Sequence, residues 1–131
     1  MITSVDSNVL LDVFVSQAPD HAQSVDWLRA AYDRGALLVC DIVYAELVPA
    51  FGERAALNRA LQEIGVTLSP INRDIAWEAG TRWMRYRRAG GPCKRIITDF
   101  LIGAHAIVSA DVFLTRDRGF YTTYFPELKS L

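Results

Sequence analysis

The run Ile2-Thr3-Ser4-Val5-Asp6-Ser7-Asn8-Val9-Leu10-Leu11-Asp12 changes character in its middle. A short apolar segment carries the chain into Asp6, and Ser7 and Asn8 are residue types that halt a strand and cap a helix. The pattern predicts a strand over 2–6, a helix over 7–14 and an acidic side chain at the strand's end. If that strand is central in a sheet, other elements are expected to deliver further carboxylates to the same place.

The remaining chain repeats the alternation. After a turn at Ala18-Pro19-Asp20, a second helix is predicted from Asp20 to Arg34, with Val25, Leu28, Ala31 and Tyr32 on its apolar face and Gly35 as its stop. The uniformly apolar stretch 36–40 reads as a strand covered on both faces. Asp41 is the expected cap of a third helix carrying Glu46, which Pro49 disturbs or ends. A fourth helix over 53–64, a strand over 66–68, and a fifth helix over 73–88 capped by Asn72 follow, the last stopped by Gly90-Gly91-Pro92. Thr98 is read as the cap of a sixth helix over 99–109, rich in small residues. A strand over 112–115 and a turn over 116–119 come next, and the tail offers a further edge strand. Short strands alternating with helices predict an α/β fold, a three-layer α/β/α sandwich around a mostly parallel sheet of four to five strands. One domain over residues 1–131 is expected.

Composition sets bounds. With 131 residues, 51% of them hydrophobic, the chain is long enough to bury a core. The net charge of −1 neither demands nor excludes a polyanionic partner. No basic leader precedes an apolar core at the start, and no run approaches the roughly 18 apolar residues of a membrane span. A cytoplasmic protein without membrane contact is the expectation. Cys40 falls in an apolar strand and Cys93 in a Gly-Pro loop, so no disulfide is expected between them.

In a parallel sheet, ligands bind where strands end and the following helices begin. Asp6 closes the first strand, and Asp117 follows Thr115 just beyond the fourth. Glu46 lies in the opening turns of the helix entered from the second strand. Asp99 opens a helix that returns the chain to the start of the fourth strand, so its first turn belongs to the same rim. Each acid alone has an ordinary explanation as a cap, a first-turn acid, a solvated side chain or a turn former. Together they converge from unrelated elements. Clustered carboxylates repel, and a divalent cation removes that cost. The set is all oxygen, and neither His21 nor His105 has a second nitrogen or sulfur ligand at zinc spacing, so Mg²⁺ or Mn²⁺ is preferred over Zn²⁺.

Four segments carry a family resemblance: Val5-Asp6-Ser7-Asn8-Val9-Leu10, Tyr44-Ala45-Glu46-Leu47, Thr98-Asp99-Phe100-Leu101-Ile102-Gly103-Ala104-His105-Ala106, and Leu114-Thr115-Arg116-Asp117-Arg118-Gly119-Phe120. In order and separation they resemble the motifs of the PIN-domain ribonucleases, most closely the VapC-type toxins of toxin–antitoxin systems. The resemblance implies a metal-dependent endoribonuclease in which Asp6, Glu46, Asp99 and Asp117 form the acidic quartet. Asp6 and Asp99 would be the main metal ligands, Glu46 would contribute directly or through water, and Asp117 would complete the site. Asn8 and Thr115 match the polar positions that orient waters or phosphate oxygens. It further implies products with 5′-phosphate and 3′-hydroxyl ends, an RNA substrate, a cognate antitoxin and a homodimer. On this reading Asp6 belongs to the metal and capping falls to Ser7 and Asn8.

Residues 48–97 carry no motif of that family. Their basic cluster, Arg82, Arg85, Arg87, Arg88, Lys94 and Arg95, has two readings: an RNA-phosphate rail, or arginines that complement a helix C-terminus. Trp77, Trp83 and Tyr86, at helical spacing, read first as core or interface and second as base-stacking surfaces. Two rivals remain. One is a noncatalytic RNA-binding or protein-interaction domain of the same fold. The other is a phosphatase resembling the haloacid dehalogenase-like enzymes, disfavoured because those want an Asp where this chain has Asn8.

Overall fold

Among the described residues, five short strands, β1 (Thr3–Val5), β2 (Leu37–Val39), β3 (Val66–Leu68), β4 (Val112–Leu114) and β5 (Lys129–Ser130), form a sheet in the order β3-β2-β1-β4-β5. Every neighbouring pair is parallel, so all five carboxyl ends share one edge. The structure is a computed structural model and describes residues 1–90 and 95–130; the readings placed on Gly91, Pro92, Cys93 and Lys94 lie outside the described residues.

Among the described residues seven helices link the strands: α1 (Ser7–Phe14), α2 (His21–Arg34), α3 (Asp41–Phe51), α4 (Arg54–Glu63), α5 (Arg73–Arg88), α6 (Ile97–Ser109) and α7 (Arg118–Tyr124). Parallel crossovers are right-handed. The steps from β1 to β2 to β3 therefore put α1–α4 on one face, and the return through β4 to β5 puts α5–α7 on the other. Contacts of α1 with α2 and α3, and of α5 with α6, match this three-layer arrangement. The chain reverses its direction of travel across the sheet between β1 and β4, the position where parallel sheets open a crevice for ligands.

The core follows from the short strands. All three residues of β1 and of β4 are buried, because each strand is covered on both faces. On the α5–α7 face, Phe100, Phe120, Phe125, Tyr86 and Tyr124 pack ring against ring, with Phe100 centred 5.4 Å from both Tyr86 and Phe120. Gly103 lets α6 come close to that cluster: a Cβ there would lie 2.6 Å from the Phe125 ring.

Several local expectations are corrected. Asp6, not Ser7 or Asn8, caps α1: its backbone stays extended (ψ 154°) and its carboxylate accepts the Ser7 N–H. Cys40 and Ile96, rather than Asp41 and Thr98, occupy the cap positions of α3 and α6, because the extended backbone persists only to those residues. Pro49 lies inside α3. Its missing donor falls in the final turn, which Gly52 closes from the left-handed region (φ +73°) with its N–H on the Val48 carbonyl. Tyr32 is exposed rather than packed under α2. The expected turn over 116–119 gives way to α7, whose Phe120 and Tyr121 are buried.

Candidate metal and nucleic-acid site at the sheet edge

The four acids read from the sequence all come to the carboxyl edge. Asp6 leaves β1 and is almost fully enclosed, 6% exposed, with its backbone N–H on the Leu114 carbonyl at the end of β4. Its two oxygens have separate work. Oδ1 accepts the Ser7 N–H at 2.8 Å, while Oδ2 accepts the Thr115 hydroxyl at 2.7 Å and the Asn8 amide at 3.3 Å. Asn8 also accepts the Arg116 N–H through Oδ1 and donates to Thr115, so Asn8 and Thr115 join β1 to β4 across the switch point.

Glu46 projects from the second turn of α3 and accepts the Ser7 hydroxyl at 3.1 Å. Asp99 sits in the first turn of α6 with Oδ2 on the Ile96 N–H at 3.2 Å. Asp117 occupies the N-cap position of α7 without a side-chain capping bond, its own N–H on the Thr115 hydroxyl and both its oxygens on the Arg95 guanidinium.

Electrostatics tie the set together. Burial, with further repulsion from Glu46 and Asp117, pushes the Asp6 carboxyl up to about 6, against the opposing pull of the Thr115 and Ser7 hydrogen bonds. Burial raises Glu46 as well, and the charge on Asp99 adds to it. Each acid thus feels at least one other, and the enclosed one carries a charge that the protein compensates only in part.

An oxygen-only donor set around a buried, poorly compensated carboxylate fits a hard divalent cation in charge and donor chemistry. Among the described residues no three carboxylate, imidazole or thiol side chains stand close enough to share one ion as placed. Asp99 is turned back to its own helix and Asp117 is held by Arg95, so joint ligation takes a rotation of the first and release of the second.

Neither histidine approaches this set. His105 is fully buried on α6, and His21 Nδ1 lies 2.8 Å from the Asp12 carbonyl. The basic cluster divides. Arg82 pairs with Glu78 and Glu127, and Arg95 pairs with Asp117, whereas Arg87 and Arg88 line a groove on α5 with Gly80, Trp83 and Met84. Arg87 stacks on Trp83, 4.9 Å from the ring centroid. Tyr86 is core as read, while Trp77 is exposed.

Arg116 was not singled out in the sequence, and it anchors the site. Its side chain leaves the Thr115–Asp117 loop to pair with Asp12, donates to Ser24 at 2.6 Å, Gln23 at 2.9 Å and the Asp20 carbonyl at 3.0 Å, and covers Trp27. The only sequence signal was its place between two motif residues. Arg116→Ala leaves Asp12 part-buried without its cation, and a loss of about 1–3 kcal/mol is expected in urea unfolding. A loss under roughly 0.5 kcal/mol, the usual surface value, would contradict the anchor.

A family model described as PIN domain matches residues 4–126. No curated protein matches the chain. Among solved structures, VapBC2 from Rickettsia felis, bound to a DNA fragment from its promoter, is similar with a TM-score of 0.72 at 16% identity, covering 100% of this chain and 98% of that one. VapBC-1 from nontypeable Haemophilus influenzae gives 0.71 at 20% identity, covering 100% and 97%. VapC20 from Mycobacterium tuberculosis, described as a Sarcin-Ricin loop cleaving toxin, gives 0.65 at 15% identity, covering 97% and 98%. At these identities the likeness establishes a shared fold.

Proposed function

The chain belongs to the PIN domain family, and on that premise we propose that it is a Mg²⁺- or Mn²⁺-dependent endoribonuclease, the toxin of a type II toxin–antitoxin pair. The observation that carries this reading is Asp6: a nearly enclosed carboxylate at the switch point, raised by burial and by the charges of Glu46 and Asp117. One nuclease domain over residues 1–131, a cytoplasmic setting and a homodimer complete the proposal. The VapBC pairs among the similar structures support a cognate antitoxin as partner, and the Sarcin-Ricin loop cleaving toxin supports an RNA substrate.

Asp6 and Asp99 would hold the ion, with Glu46 and Asp117 completing its surroundings. When bound, such an ion supplies an activated water and stabilises the departing oxygen of a phosphodiester. The chain's own residues prepare the geometry. Thr115 and Asn8 fix Asp6 Oδ2 by hydrogen bonds, and Ser7 fixes Glu46. Arg116 keeps the Thr115–Asp117 loop seated against the α1–α2 hairpin.

The test is incubation of purified protein with RNA in Mg²⁺, in Mn²⁺ and in EDTA, followed by sequencing of the ends. Cleavage with either ion, lost in EDTA and leaving 5′-phosphate and 3′-hydroxyl ends, is the expected result. RNA bound but uncut under every condition would overturn the nuclease reading and leave a noncatalytic RNA-binding domain of the same fold.

A further inference from the structure

Arg95 is a cation already present beside two of the four acids, Asp117 and Asp99. Its guanidinium meets Asp117 fork to fork, Nη1 to Oδ2 at 2.5 Å and Nη2 to Oδ1 at 3.1 Å, and lies over the Phe120 ring at 4.3 Å from the centroid. Asp99 contributes a further favourable charge to it. Both Asp117 oxygens are therefore engaged, and an ion approaching Asp117 competes with the guanidinium. The pair is also accessible: the two side chains are 31% and 32% exposed. A pair at such exposure is held weakly enough to exchange. A phosphodiester presents two oxygens to the same planar fork that a carboxylate fills, so it is the natural replacement partner.

We propose that Arg95 is a resident counter-cation of Asp117 that moves from this carboxylate to an RNA phosphate when a divalent ion enters the site. The inference rests on the metal-dependent reading above. In the ion-free protein Arg95 shields Asp117. Once an ion holds the acids, the freed guanidinium clamps the substrate backbone beside them. Ion binding and substrate binding become linked through one side chain.

The experiment is Mn²⁺ titration calorimetry on the full chain without RNA, comparing wild type, Arg95→Lys and Arg95→Gln, with circular dichroism as the check of folding. Arg95→Gln is expected to bind Mn²⁺ about three- to tenfold more tightly, as release of one partly exposed pair implies. Arg95→Lys, which keeps the charge but loses the fork, is expected to fall in between. At saturating Mn²⁺, Arg95→Gln should then raise the KM for RNA more than it lowers kcat. Equal Mn²⁺ affinity in all three proteins would overturn the exchange. So would tighter binding in Arg95→Gln with Arg95→Lys unchanged from wild type, which is the signature of charge alone, and so would an unchanged KM. If wild type takes up no Mn²⁺, the metal-dependent reading falls and the exchange with it.

Discussion

Asp6→Asn is expected to lose RNA cleavage on the order of a thousandfold, the scale of removing a group that acts on developing charge, while stabilising the ion-free fold at neutral pH. The second half follows from linkage. The folded-state pKa of Asp6 is raised from 3.8 to about 6. A raised carboxyl contributes its full stability below the unfolded value, near pH 4, and loses it as pH climbs through 6. At pH 7 the ionised side chain therefore weakens the ion-free protein by about 2–3 kcal/mol relative to its neutral form. Asparagine keeps the shape and remains a good helix cap. Urea unfolding in EDTA should show the variant more stable at pH 7 and equal to wild type below about pH 4. Adding Mg²⁺ should raise the Tm of wild type more than that of the variant, since only the former retains the ligand. Full metal-dependent activity in the variant would sink the site assignment. Lower stability at pH 7 would sink the electrostatic account of Asp6.

Phe100→Ala should cost roughly 3–5 kcal/mol, the range for emptying a buried aromatic site. Phe100 is fully buried and touches the rings of Tyr86, Phe120, Tyr124 and Phe125, so one deletion removes packing from α5, α6 and α7 together. A domain of this size has about 5–15 kcal/mol in total, and the variant should unfold at a much lower urea concentration with little change in slope. The residue follows Asp99 directly, so the same cluster seats the first turn of α6 at the sheet edge. A loss below about 1 kcal/mol would mean that the neighbouring rings collapse into the space.

The layered fold was legible because its strands are short, apolar and bounded by residues with fixed habits. Asp6 follows the last residue of β1 and caps α1, while Gly35 and Gly65 stop the helices before β2 and β3. The convergence of Asp6, Glu46, Asp99 and Asp117 was legible for a topological reason: in a parallel α/β sheet, strand ends and helix beginnings share one edge. What escaped depended on tertiary packing. Residues 118–124, Arg-Gly-Phe-Tyr-Thr-Thr-Tyr, have poor intrinsic helix propensity, and the sequence offers only a turn over 116–119 followed by a tail with edge-strand character. They form α7 because that places Phe120 and Tyr121 in the aromatic core. Tyr32 shows the opposite case, sitting at helical spacing with its partners and still facing solvent. The partners of Arg95 and Arg116 lie 22 and 104 positions away, separations at which no local pattern signals a pairing.

The pairing of β1 with β4 also sets the order of events during synthesis. Asp6 meets Thr115 across 109 positions of chain, and β1 finds its second neighbour only when β4 has emerged. Loop closure of that length comes late, because its entropy cost precedes any reward from contacts. A nascent chain halted between residues 46 and 114 has Asp6 and Glu46 but neither Thr115 nor Asp117. The four-acid edge is therefore complete only once β4 and the residues that follow it have been delivered.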